Sequence, residues 1–304
     1  MTSFLEQLGA KVVDRWLAGL LLPGLLWLCC VAVAAQLGWE HAVDPRAAQP
    51  LLRRLAGERS GAQALLLVAG ALGGSAAAGL AATGLATVLR RAWTLPGGAV
   101  PAKWLRQWRR RRWEAADRLV TQQRNGILDA AEAGAEDGAV TVAPQYGEAL
   151  ARRDLIGLEP AERPTWIGDR WLATGMRIHR AYGLDLTVVW PRLWALAPDA
   201  LRNDIAVAQL AYQEASITVS WAAFYGAVGL FWGPALIIAA GLAVTGTLQA
   251  RDATGNLCEL VESTCDLYGR SLAEQLRIDC PERMTPEAGK RINEHLRRKD
   301  LPPG

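Results

Sequence analysis

The sequence predicts an all-α, multi-pass membrane protein with a helical cytoplasmic region, and three observations predict it. Residues Ala215–Ala250 run for thirty-six positions without Asp, Glu, Lys, Arg or His, and two other blocks, Trp16–Trp39 and Ser60–Leu89, are equally free of charge. The stretch Arg90–Arg112 holds eight Lys or Arg and no acid, which places it in the cytoplasm by the positive-inside rule. The remaining chain carries helix caps and helical apolar spacing.

Lys11 and Arg15 precede the first block, and Ala32-Val33-Ala34 near its end has the form of a cleavage site. A secretory leader has an apolar core of about 7–15 residues, and here Glu6 and Asp14 dilute the positive end. The block therefore reads as a retained span, kinked at Pro23. Residues 40–59 form a connector in which Leu51, Leu52 and Leu55 share one side of a short surface helix. In the second block Gly70, Gly74, Ala78 and Ala82 recur every fourth position, a row of small residues that lets another helix approach closely. This row is the expected contact of a homo-oligomer.

The basic segment continues as KWLRQWRRRRW, where Trp104, Trp108 and Trp113 alternate with Arg109, Arg110, Arg111 and Arg112. Aromatic and cationic residues mixed in this way suit a helix lying on anionic lipid. Helical character reaches Glu132, and GAEDGAVTVAPQYG then reads as a linker. Further on, Thr165 opens a helix that runs to Ala181, Gly183 supplies its left-handed end, and Asp185 caps the next element. Trp190-Pro191 is expected to break that element, and Pro198-Asp199 starts the long helix leading into the third block.

That block would form a helix of roughly 54 Å against a hydrocarbon core of about 30 Å. Phe231-Trp232-Gly233-Pro234 divides it, so the reading is two short spans joined by a turn, with one long Pro-kinked span as the alternative. The tail reads as a helix with Leu257, Leu260, Val261, Thr264, Leu267, Leu272 and Leu276 on one face, followed by a helix opened by Thr285-Pro286-Glu287. The last residues, RRKDLPPG, read as frayed.

Composition narrows the function. A net charge of +3 gives no basic stripe reserved for nucleic acid. Arg outnumbers Lys by 29 to 4 beside abundant Ala, as a GC-rich bacterial genome writes its proteins. Five cysteines without a CxxC fit reduced thiols rather than a disulfide framework. His41, His179 and His295 are scattered, and neither HExxH, a phosphate loop nor GxSxG occurs. No catalytic residue, cofactor or metal is therefore expected. Coupled transport is disfavoured because the three blocks hold no ionisable residue, although Ser75, Thr83, Thr87, Thr218, Ser220 and Thr245 could line a narrow polar path. The best candidate for binding is the cluster Arg180, Tyr182, Asp185, Trp190, Arg192 and Trp194, where forked Arg donors could hold a carboxylate or phosphate. An enzyme acting on lipid would need that cluster as its site.

The stretches PTWIGD (Pro164–Asp169), Arg180–Asp185 with its YGLD, VVWPRLW (Val188–Trp194) and Pro198-Asp199 resemble the shared block of a group of uncharacterised bacterial multi-pass membrane proteins. The tail LCELVESTCDLYGRSLAEQL is similar to a second block of that group, with Asp266 at its acidic position. Asp169 stands where the group commonly has Asn. The resemblance implies the membrane architecture and no activity.

The expected organisation is a two-span hairpin at 1–93, a cytoplasmic helical region at 94–214, a membrane hairpin at 215–250 and a cytoplasmic tail at 251–304. The expected role is a non-enzymatic, oligomerising interaction module of the bacterial inner membrane, both termini cytoplasmic, contacting anionic lipid and a cytosolic protein. The alternative is a pore-forming effector gated by the cytoplasmic region.

Overall fold

The structure is a computed structural model that describes residues 21–39, 61–96, 98, 100–132, 136–157, 159–280 and 283–298, with the backbone alone at 101 and 136–143. The sequence readings at residues 1–20, the connector 40–60 and the last six residues lie outside it. Among the described residues the fold is all-α: α1 Leu22–Leu37, α2 Gly61–Thr94, α3 Val100–Glu132, α4 Glu136–Ile156, α5 Trp166–Tyr182, α6 Leu186–Leu196, α7 Asp199–Gly229, α8 Gly233–Gln275 and α9 Pro286–Arg298. The chain divides into two compact units. Unit 1 comprises residues 1–90 and 213–250, and unit 2 comprises residues 91–212 and 251–304.

Unit 1 is built from apolar helix segments packed through small residues. One face of α2 buries Ser75, Ala78, Gly79, Ala82 and Ala86. Ala78 and Ala82 meet Trp221, Tyr225 and Ala239, with Trp27 and Cys30 of α1 against the same cluster. The bulky rings of α1 and α7 thus fill the shallow groove that small side chains leave on α2. Trp27 meets Phe224 edge to face at 5.5 Å and donates its indole N–H to the Phe224 carbonyl at 3.2 Å. The Ser75 hydroxyl donates to the Leu21 carbonyl.

The uncharged run 215–250 is divided between two helices, with the chain reversing at residues 230–232. Close approaches of Gly229 to Leu236, Gly226 to Ala239 and Gly246 to Val219 set α7 and α8 antiparallel. The break replaces the single kinked helix, and Pro234 falls in the first turn of α8, where its missing N–H costs nothing. Trp39 donates to the Leu230 carbonyl at this turn, 2.8 Å. Among the described residues two helices, Gly61–Thr94 and Gly233–Gln275, are long and apolar enough to cross a membrane by length and composition. Only 17% and 22% of their most apolar windows is buried.

Unit 2 has an apolar core formed by Ile178, Leu184, Val189, Leu193, Val261, Cys265, Leu272, Ile292 and Leu296, contributed by α5, α6 and the connection between them, α8 and α9. A second cluster, Ile205, Ala208 and Leu257, is covered by Trp171, Trp190 and Trp194. Three sequence readings need correction here. The expected linker is helical from Glu136, with Pro144 inside α4, which lies along α3 as a hairpin. Pro191 does not end α6: Val189 and Leu193 on either side are fully buried, and the Arg192 guanidinium donates to the Val188 carbonyl beside the proline's defect, 2.9 Å. Leu267, placed on the covered face of the tail helix, is 67% exposed.

Candidate functional site

The polar chemistry of unit 2 gathers where α5 faces the tail half of α8. Thr165 caps α5 by accepting from the Gly168 N–H at 3.0 Å and donates its own hydroxyl to the Trp93 carbonyl at 2.6 Å. The helix that follows carries Arg170, Thr174 and Arg177 on one side, spaced to meet a single partner. That partner is Glu262, a buried carboxylate that accepts from Arg170 at 3.2 Å, from the Thr174 hydroxyl at 2.8 Å, and from Arg177. One turn on, Asp266 accepts from the Tyr182 hydroxyl at 2.8 Å. Burial, with the Asp266 hydrogen bond adding to it, pushes the Tyr182 phenol above its ordinary value. Beside this network Cys258 and Cys265 are buried thiols, and burial pushes Cys265 up to about 12. A thiol held protonated in this way is inert as a nucleophile.

A second knot ties the α3–α4 hairpin to the start of α5. Arg109 is 8% exposed; it pairs with Asp169 and donates to the carbonyls of Arg163 and Ile156, each at 3.0 Å. Asp169 also accepts from the backbone N–H groups of Glu162 and Arg163. Burial pushes its carboxyl up, with Arg109 and the two N–H groups acting against it. Trp113 donates to the Gly157 carbonyl at 2.7 Å, and Arg153 lies over its ring at 5.9 Å while pairing with Asp117 and Asp154.

The expected lipid-facing set is therefore divided. Trp104 and Trp108 are 80% and 52% exposed, Arg110, Arg111 and Arg112 are exposed, and Arg112 lies over the Trp108 ring at 4.8 Å. Arg109 is a correction: it points inward, because the carboxylate of Asp169 and two open carbonyls give it better partners than water or lipid phosphate could. Trp113 is likewise held by unit 2 through its indole N–H.

The six-residue cluster does not converge on one site. Arg180 pairs with Glu159 at 3.2 Å, and Tyr182 points toward α8. Asp185 caps α6 through the Thr187 N–H and pairs with Arg297 at 2.6 Å. The Thr187 hydroxyl holds its carboxyl below the usual range against the push from burial, and Arg297 and the Thr187 N–H add to the lowering. Trp190 and Trp194 lie 6.1 Å apart in the core, and Arg192 serves its own helix. Asp185 and Arg180 do share an open groove of about 700 Å³ between α5 and α9. Arg163, His179, Lys290 and Arg297 line it, over an apolar floor that includes Trp171, Met176 and Leu184. Gly175 leaves open space above that floor.

In the small-residue row, Ala78 and Ala82 pack within the chain, a Cβ on Gly74 would meet Leu28 at 3.2 Å, and Gly70 faces open space. Of the hydroxyls proposed for a polar path, Thr83, Thr87, Thr218 and Ser220 each donate to a carbonyl three or four residues back in their own helix, whereas Ser75 donates to the Leu21 carbonyl. Sequence reasoning missed Glu262, although an acid one residue from Val261 and four from Cys258, on the apolar face of a helix, is the signal that marks a buried carboxylate. No protein-family model, curated protein or solved structure matches this chain.

Proposed function

We propose that the chain is a non-enzymatic, multi-pass protein of the bacterial inner membrane, an oligomerising interaction module that presents its helical unit 2 to a cytosolic partner. The observation that carries this reading is the outward apolar surface of unit 1. Leu65, Leu66, Val68, Val88, Ile237 and Val244 are each 58–76% exposed, on helices whose apolar windows are mostly unburied. A core helix of a soluble domain would cover such side chains, whereas lipid tails solvate them at no cost. In this reading α1, α2 and the apolar halves of α7 and α8 cross the bilayer, and both termini are cytoplasmic. Trp104, Trp108 and Arg110–Arg112 contact anionic headgroups. Unit 2 supports a binding role because its buried charges are matched within a structural network rather than aimed at a shared reacting atom.

Topology reporters test the architecture. A phosphatase fused after residue 304 is inactive and a fluorescent protein fused there is bright if the tail is cytoplasmic; the reverse pattern refutes the four-span reading. A membrane-potential dye during controlled expression tests the role, with unchanged potential expected and depolarisation favouring a pore.

A further inference from the structure

We propose that the basic groove of one copy receives the acidic end of the α3–α4 hairpin of a second copy. The proposal rests on the oligomer reading and names a contact outside the apolar helices. Charge along the hairpin is polarised: between Arg124 and Arg152 there are five acids, Asp129, Glu132, Glu136, Asp137 and Glu148, and not one Lys, Arg or His. The opposite end holds Lys103, Arg106 and Arg109–Arg112. That basic end is the anchored one, fixed by Arg109 to Asp169 and to the Arg163 carbonyl. From Asp117 to Glu132 the helix rises about 22 Å. Asp129, Glu132 and the apolar Leu128 are exposed there.

The groove lies beside Asp169, at the anchored end, since Arg163 and Gly168 line it. Two stiff helices carry the acids away from it, so the acidic end cannot return to the groove of its own chain. The groove has the complementary charge. Arg163, Arg180, Lys290 and Arg297 outnumber Asp185 and Glu294, and Lys290 and His179 stand exposed. Its length also fits. Gly168 to Arg180, the part of α5 that lines the groove, spans about 18 Å of helix, longer than the roughly 10 Å of α3 from Asn125 to Glu132. The apolar floor would take Leu128 and the alanines around it. Each copy offers a different surface to its neighbour, so the contact is heterologous and builds rings or chains rather than a two-fold dimer.

The test is a charge swap in the full-length protein, with particle mass measured in detergent by light scattering. Arg180→Glu with Lys290→Glu makes the groove acidic, and Asp129→Lys with Glu132→Lys makes the hairpin end basic; all four side chains are exposed, and circular dichroism checks that each variant keeps its helices. Each variant alone repels itself and is expected to fall to a smaller particle. Mixing the two restores both complementary pairings and returns the wild-type mass. Variants that keep the wild-type mass overturn the groove contact while leaving oligomerisation intact. A mixture that stays small overturns the pairing of hairpin with groove, and a monomeric wild type overturns both this contact and the oligomer reading beneath it.

Discussion

Glu262 holds two arginines and a threonine at once, and its removal is the sharpest residue-scale test of unit 2. Glu262→Ala removes the carboxylate that Arg170 and the buried Thr174 hydroxyl share, and should cost about 3 kcal/mol in thermal melts of the detergent-solubilised protein. Arg177→Ala removes a side chain that is 57% exposed and should cost far less. Asp185 gives the pH dependence. Its carboxyl is held below the usual range by Thr187 and Arg297, so the folded state favours the ionised form. Its contribution is fully present above the ordinary carboxylate pKa and is lost as pH falls through the lowered folded value. The protection factors of amides in α9, taken against the intrinsic exchange rate at each pH, should therefore fall on acidification, and Asp185→Asn should flatten that response; an unaltered profile in the variant would refute the link. Arg109 shows why residue roles were only partly legible. Helical spacing gives the side of α3 on which it lies but not the carboxylate sixty residues away that faces that side.

At the scale of elements, caps were legible and breakers only in part: Gly233-Pro234 divides α7 from α8 as read, whereas Pro144 and Pro191 lie inside helices. Thr165, Gly183, Asp185 and Thr285 perform the capping their types imply, because capping is a local bond between a side chain and the next turn. Pro191 was misleading because packing can outweigh a proline's cost of about 3 kcal/mol, and the packing of Val189 and Leu193 comes from distant helices; Pro144 lies in a helix that packs along its neighbour α3. Two glycines decide how elements cross. A Cβ at Gly289 would run into the Tyr182 carbonyl, so α9 reaches α5 only through a missing side chain. Gly289→Ala should cost about 2 kcal/mol, whereas Gly175→Ala, which opens onto free space, should be nearly silent in the same melts. In unit 1, a Cβ at Gly246 would lie 2.8 Å from Val219, while Gly241 has nothing within 4 Å. Gly246→Leu should force α7 and α8 apart and lower the melting temperature, with Gly241→Leu as the tolerated control.

For the whole molecule, the all-α class was legible because charge-free blocks and cap residues are statements about the chain itself. The partner of each block was not. Ala78 and Ala82 look the same in sequence whether they meet Trp221 and Tyr225 of their own chain, as they do, or another copy. Gly70 and Gly74 separate these cases: Gly74→Leu should lower the melting temperature by displacing Leu28, and Gly70→Leu should leave the melt unchanged and reduce particle mass if that end of α2 meets a neighbour.

The discontinuity of unit 2 has a consequence for synthesis. Arg170, Thr174 and Arg177 leave the ribosome 85–92 residues ahead of the Glu262 carboxylate that neutralises them, and the apolar hairpin 215–250 lies between. A nascent chain halted before residue 251 therefore holds half of a charge network and half of an apolar core. Its α5 arginines remain hydrated and the Ile178, Leu184 and Leu193 surface waits uncovered. Unit 2 can close only after the hairpin has been made, so a fault in placing that hairpin would surface as misfolding of the polar half.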